Sequence, residues 1–263
     1  MTRNDGVPWT DRSRLREVQY RTDTNLVARQ SLYRFQRPRI TLPPLVLDLA
    51  DLTGNETVVD VGCGNGSYLS ELARRGHFGP VLGMDLSAGM LAAARSHAPT
   101  AFLSAGDAAA LPLRDGISEF TLAAHMLYHV PEPATAVSEL RRITRPGALV
   151  AVVLNGEGHL RELHDLVDTA LGDLTGRRPQ YPKRLRLDEG ERLLAAEFST
   201  VIRHDFPSQL VIPDPGPVEE YVRSMSLIQA MPDPAAVAAA VARLIPSGEP
   251  YRIRTHAGCL ICC

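Results

Sequence analysis

The chemistry of this sequence is concentrated where apolar runs end. In VVDVGCGNGSYLSELARR, residues 58–75, the run breaks at Asp60 and then places Gly62, Gly64 and Gly66 around Cys63 and Asn65. Glycines in a strand-to-helix turn permit positive φ and let backbone approach a ligand. The helix that follows offers unpaired N–H groups and the positive end of its dipole. Asp85 ends the next apolar run, where a carboxylate accepts hydrogen bonds from ribose hydroxyls. The glycine spacing is G-x-G-x-G, whereas a dinucleotide fingerprint reads G-x-G-x-x-G. Asp60 would meet a pyrophosphate with the wrong sign of charge, but it suits an ammonium. The ligand implied is a nucleoside with a ribose and a cationic or zwitterionic tail. A nicotinamide-dependent oxidoreductase is disfavoured on the same grounds.

These residues need elements to hold them, and periodicity supplies the elements. VVDV (58–61), PVLGMD (80–85), TAFLSAGD (100–107), FTLAAHML (120–127) and ALVAVVLN (148–155) read as strands. The last is apolar nearly throughout, as expected of a strand covered on both faces. SYLSELARR, AGMLAAARSHA behind a Ser87 cap, and ATAVSELRRI read as the helices between them. Strands alternating with helices argue βαβ units and a mostly parallel sheet, with ligands outside the carboxyl ends of the strands. Asp60, Asp85, Asp107 and His125 all fall at or just beyond such an end. Further on, residues 160–171 and 188–198 read as helices, the second with Asp188 and Glu191 spaced as a capping box. A strand over 199–206, a turn at PDPGP, two more helices and a closing strand, YRIRTHAGCLICC, complete the pattern.

Five segments occur in order: VVDVGCGNG, VLGMDLSAGML, GDAAALPLRDG, LAAHMLYHV and LRRITRPGALVAVV. Together, over residues 58 to about 155, they resemble the class I S-adenosylmethionine-dependent methyltransferases, of the small-molecule type found near the ubiquinone-biosynthesis enzymes. The resemblance implies S-adenosyl-L-methionine as cofactor. It also implies a Rossmann-like, doubly wound, mostly parallel seven-stranded sheet with helices on both faces and a helical lid. Asp60, Gly62, Cys63, Gly64 and Gly66 would line the donor's methionine moiety. Asp85 would hold the ribose and Leu86 flank the adenine. Asp107 and Ala108 would meet the adenine edge, although Asp107 also reads as a helix cap. His125 would lie near the sulfonium. Tyr20 and Arg29, in the N-terminal segment, are carried over as groups reaching the donor's carboxylate. The family usually has Asp after the D-G turn, where this chain has Glu119.

The chemistry expected is in-line methyl transfer to a small-molecule oxygen, nitrogen or carbon nucleophile, with orientation and exclusion of water as the protein's main task. If the acceptor needs a general base, His129 and His125 are the candidates, because imidazole titrates near neutral pH. Both also read as packing histidines, and Tyr128 as core filler. The alternative is a donor-binding partner or regulatory protein without turnover.

Composition narrows the field. The chain of 263 residues is 44% hydrophobic and 22% charged, enough for one large core. Its net charge of −2 disfavours nucleic acid as an obligate partner. No apolar run approaches the roughly 18 residues that span a bilayer, and the polar N-terminus lacks a signal core. The expectation is a soluble cytoplasmic protein. Cys259 and Cys262 are read as packing in the terminal strand, and no metal site is recognisable. One domain is expected: an N-terminal helical lid over 1–45, a cofactor-binding core over 46–155, and the remaining core with lid insertions over 156–263. Residues 1–40 carry nine arginines against four acidic residues, read as solvated helix faces. Met225, Leu227, Ile228 and Met231 are read as an apolar pocket wall or the packed face of a lid helix.

Overall fold

A computed structural model describes residues 9–176 and 184–263. The polar loop expected around 176–184 lies largely outside them. The helices are α1 (Arg12–Arg14, running on into a π turn over Leu15–Gln19), α2 (Thr24–Leu32), α3 (Leu42–Ala50), α4 (Ser67–Arg74), α5 (Ala88–His97), α6 (Pro133–Ile143), α7 (Arg161–Thr175), α8 (Leu187–Ala195), α9 (Gly216–Arg223) and α10 (Pro234–Leu244). The strands are β1 (Gln36–Arg37), β2 (Val58–Val61), β3 (Val81–Asp85), β4 (Phe102–Ala105), β5 (Ser118–Ala124), β6 (Thr144–Asn155), β7 (Val201–Ile212) and β8 (Tyr251–Cys262).

One sheet runs β1-β7-β8-β6-β5-β2-β3-β4. β4, β3, β2, β5 and β6 are mutually parallel, and β8 enters antiparallel between β6 and β7. The seven expected strands are present. The eighth, two-residue β1, pairs with the far end of β7 through Gln36↔Leu210 and Arg37↔Gln209. Chain order reverses between β2 and β5, so a crevice opens beyond their carboxyl ends.

Successive residues of the central strands face opposite layers. Val59 and Val61 pack with Val150 and Val152 against Val137, Leu140 and Ile143 of α6 and Leu187 and Leu194 of α8. Val58 packs with Phe120, Leu122, Ala151 and Val153 against Val46 and Leu47 of α3 and Leu72 of α4. α6 shows how the sequence makes this work. Pro133 starts it with a preset φ, and Ala136, Val137, Leu140 and Ile143 form one fully buried stripe.

A second core lies beyond the sheet. β7 and β8 pair over twelve positions, but only Ala257–Cys262 of β8 reach β6. The overhanging strand pair carries Leu210, Ile212 and Ile253 into a cluster with α7, α9, α10 and Leu32 of α2. This overhang is why β7 extends past Phe206, where the sequence pattern ended it. Ile228 is fully buried there, and Leu227 and Met231 pack against the same cluster. Of the four, Met225 alone borders a cavity.

Two local expectations are corrected. The cap of α8 is not the Asp188–Glu191 pair. The Glu189 carboxylate accepts from the Arg186 N–H at 3.4 Å, while Asp188 and Glu191 both hold Arg203 of β7. β5 stops at Ala124, and Leu127–His129 form a 3-10 turn, so His125 leaves the strand with φ +54. Cys259 and Cys262 are free thiols buried on β8, as packing residues.

Candidate active site

The β2–α4 turn is wired before any ligand arrives. The N–H groups of Gly62 and Cys63 both donate to the Met84 carbonyl, at 2.7 and 2.9 Å, and the Gly66 N–H donates to the Cys63 carbonyl at 2.9 Å. The Gly64 N–H donates to Asp85 Oδ2 at 2.9 Å. The glycines therefore serve by shape. At Gly62, φ is +75 and a Cβ would sit 2.6 Å from the Met126 side chain. At Gly66, φ is +82 and a Cβ would press on Ala94 of α5 at 3.1 Å.

Asp60 stands at the bottom of the cradle, 1% exposed, and neither carboxylate oxygen has a hydrogen-bond partner. Burial, and then the charge of Asp85, pushes its pKa up to about 8. An orphaned buried carboxylate is costly. A cationic group placed against it would remove the cost. Asp85 is different. Ser87 N–H donates to its Oδ1 at 2.8 Å, so each oxygen takes one backbone donor and keeps a lone pair. Burial still raises its pKa against those bonds. Both features fit the expected donor: an ammonium for Asp60 and ribose hydroxyls for Asp85. Leu86 and Ala108 line the same cavity, of about 230 Å³, together with Cys63, Asp107 and His125. Asp107 Oδ1 caps the Ala109 N–H at 2.9 Å, and its other oxygen pairs with Arg12 at 2.6 Å. It is thus both a turn cap and a cavity wall.

The N-terminal segment is stitched across this cavity. The Ser87 hydroxyl donates to the Tyr20 carbonyl at 2.6 Å and also accepts from the Met90 N–H, the cap expected for α5. Leu26 of α2 lies over Gly64. The segment docks on α9 and the turn after it through side-chain amides, of which Gln19 is buried. Gln19 donates to the Ser224 carbonyl at 3.1 Å and accepts from the Ser226 hydroxyl at 2.6 Å. Asn25 and Gln229 bond side chain to side chain.

A second cavity of about 560 Å³ adjoins the first. Tyr20, Arg29, Tyr68, His125, Tyr128 and His129 border both. In this shared wall, His129 Nδ1 lies 2.8 Å from the Trp9 carbonyl, which only accepts, so Nδ1 carries the proton. Nε2 then accepts from the Tyr20 hydroxyl at 2.9 Å, and the Tyr20 oxygen accepts from Arg29 at 3.2 Å. Arg29 also donates to the Ser224 carbonyl at 3.1 Å. Burial, partly offset by the Trp9 bond, lowers the His129 pKa to about 3. Burial alone lowers that of His125 to about 4.

The structure thus brings the expected site residues to one crevice, except Gly66, which packs on Ala94 behind the turn. Sequence reasoning missed Arg12, Met126 and His159, whereas Tyr33, expected with Tyr20, Asn25 and Arg29 in an N-terminal wall of the acceptor site, borders the second cavity. Arg12 was lost in a basic stretch with no motif, and Met126 was taken for strand core. Tyr128, expected as core filler, borders both cavities. Glu119 lies away from the site. It accepts from the Thr57 N–H at 2.8 Å and from Arg145 at 2.5 Å, a clamp at the base of β5. Among the described residues, no three His, Cys, Asp or Glu side chains gather as metal ligands, and no helix is long and apolar enough to cross a membrane.

Comparison with known proteins agrees with this geometry. A family described as a methyltransferase domain matches residues 59–152. An uncharacterised methyltransferase of Mycobacterium bovis is 30% identical over 188 residues, covering 70% of each chain. A demethylmenaquinone methyltransferase of Renibacterium salmoninarum is 33% identical over 108 residues, 41% of this chain and 45% of that one. Among solved structures, a phosphoethanolamine N-methyltransferase of Haemonchus contortus bound to S-adenosylhomocysteine superposes with a TM-score of 0.59 at 17% identity, over 98% of this chain and 60% of that one. The chain spans less than half of the Renibacterium enzyme but over two thirds of the mycobacterial protein. It belongs to the class I S-adenosylmethionine-dependent methyltransferases.

Proposed function

We propose that this chain methylates a small molecule held in the second cavity, with the donor in the first and the reaction in the wall between them. The observation that carries the reading is that shared wall, formed by His125 and His129, by Tyr68 and Tyr128 of the core, and by Tyr20 and Arg29 of the N-terminal segment. When bound, the donor supplies a methyl group on a positively charged sulfur. Asp60 would hold its ammonium, Asp85 its ribose, and Asp107 with Ala108 its adenine edge. Tyr68, Tyr128 and His125 would exclude water and orient the acceptor.

Proton removal, where the acceptor needs it, would run through Tyr20. Both His129 nitrogens are engaged, so His129 does not face the acceptor directly. A proton taken up at the Tyr20 oxygen would be matched by one passed from the Tyr20 hydroxyl to Nε2. Arg29 would steady the charge on the oxygen as this happens. The same reading takes a free small molecule rather than nucleic acid as acceptor, in keeping with the net charge of −2, and a cytoplasmic setting.

Calorimetric titration with S-adenosylmethionine, S-adenosylhomocysteine and NAD tests the donor site. Micromolar binding of the first two, none of NAD, and loss in Asp85→Ala are expected. Binding of NAD, or of none of the three, overturns the reading.

A further inference from the structure

The second cavity has a charge of its own. Arg29, Arg34, Arg39, Arg184 and Arg186 line it, and no Asp or Glu among the described residues does. Four of these arginines border only this cavity, so the donor does not account for them. Their existing partners are mostly neutral. Arg34 lies over the Phe35 ring and Arg184 over the Trp9 ring, at 4.8 and 4.5 Å. Arg186 donates to the Gly156 carbonyl at 3.0 Å, with the exposed Glu157 4.0 Å away. No described residue pairs with the Arg39 guanidinium.

A second Tyr–His pair sits in this cavity, wired opposite to the first. The His256 N–H donates to His159 Nδ1 at 3.1 Å, so Nδ1 is an acceptor. His159 is buried and its pKa is lowered to about 3, so the ring is neutral with its proton on Nε2. Nε2–H therefore donates to the Tyr33 oxygen, 3.0 Å away. The Tyr33 hydroxyl proton is left for another acceptor, whereas that of Tyr20 is held by His129. Guanidinium groups and one spare hydroxyl make a wall of donors.

We propose that the acceptor is a small molecule bearing an anionic oxygen group, a carboxylate or a phosphate, drawn in by Arg34, Arg39, Arg184 and Arg186 and hydrogen-bonded by the Tyr33 hydroxyl. This rests on the second cavity being the acceptor site of the methyltransferase. Guanidinium forks match both oxyanions, and a wall without carboxylates repels neither. Leu42, Leu160 and Phe206 supply apolar surface for the rest of the molecule.

The test is calorimetric titration of the protein with hexanoate, hexyl phosphate, hexanamide and hexylamine, with and without saturating S-adenosylhomocysteine. These probes share a chain and differ in charge. Hexanoate or hexyl phosphate should bind at least tenfold more tightly than hexanamide, and hexylamine should not compete. Whichever anion is preferred identifies the oxyanion. The preference should vanish in the combined variant Arg39→Gln, Arg184→Gln, Arg186→Gln and persist in Arg243→Ala, on an exposed face of α10. Tyr33→Phe keeps its stacking on His159 and should weaken the favoured anion three- to tenfold. Equal binding of hexanoate and hexanamide, preference for hexylamine, or an anion preference that survives the triple variant overturns the proposal. S-adenosylhomocysteine binding is read separately. If it binds while the anions show no preference, the methyltransferase reading stands and this inference falls; if it fails to bind, the reading itself falls.

Discussion

Two cavities share one wall and are built from opposite materials. The donor cavity is made by strand ends and a glycine turn, and its charged floor is carboxylate: Asp60, Asp85 and Asp107. The neighbouring cavity is made by α2, β1, the α7 approach and α9, and it is lined by arginine, tyrosine and histidine without a carboxylate among the described residues. The first is suited to a ligand with a cationic tail and many hydroxyls, the second to an anion. Methyl transfer has reason to keep them apart. A donor ammonium placed among the arginines would be repelled. On the proposed reading, this difference in charge would direct the two reactants to opposite sides of Tyr20 and His129.

That contrast can be broken from either side. The largest effect is expected for Asp85→Ala, which removes the proposed ribose acceptor and the anchor of the Gly64 N–H. Donor affinity should fall by ~2–4 kcal/mol, a charge-assisted pair being worth more than a neutral one. Binding of hexanoate or hexyl phosphate in the other cavity should stay as it was. Gly62→Ala should destabilise the fold by ~1–3 kcal/mol in a thermal melt, since the new Cβ meets Met126 at an unfavourable φ. Tyr20→Phe should lower kcat about 10–100-fold for an acceptor that must lose a proton, with donor affinity little changed.

The two cavities also differ in their response to pH. His125, His129, His159 and His164 border the second cavity, and burial lowers each, to about 4, 3, 3 and 4. The unfolded chain binds these protons more readily than the fold. Stability should therefore drop as pH falls below about 6.5, and continue to drop toward about 3. Asp60 has the opposite sign. Its pKa is raised to about 8, so its ionisation weighs against the ligand-free fold increasingly as pH rises from about 4 to about 8. Asp60→Asn should melt higher than the parent near pH 8 and match it near pH 4. The smallest effect is expected at Arg12, half exposed in its bridge to Asp107. Exposed pairs are worth ~0–1 kcal/mol, so Arg12→Ala should tighten donor binding by no more than about fivefold as Asp107 is freed.

The same division marks what the sequence reveals. In the donor half the chemistry and the fold use the same residues. Asp60 ends a strand, Gly62 fits under Met126, and Ser87 caps α5 beside Asp85, so motif and element are read together. The lid half has no such coincidence. Tyr20 and Arg29 entered only through family resemblance, because their contacts with His129 and Ser224 cross more than a hundred residues. Tyr33 gains its partner only once β8 places His256 over His159. Arg34 and Arg39 read as solvated surface because a basic stretch usually is, Arg184 fell at the end of a polar loop, and no pattern marked Arg186. Their convergence on one cavity depends on the overhang of β7 and β8, which alternation in the sequence does not announce.

The most direct test of the account is whether Asp60 waits, protonated and unpaired, for the donor's ammonium. Titration of S-adenosylhomocysteine into the protein near neutral pH, repeated in buffers of different ionisation enthalpy, measures this as protons exchanged on binding. The account predicts release of about one proton per site, absent in Asp60→Asn, because ammonium pairing pulls a pKa of about 8 down through neutrality. Tight binding with no buffer dependence would contradict it, and would mean that Asp60 shapes the cradle without meeting the donor's charge.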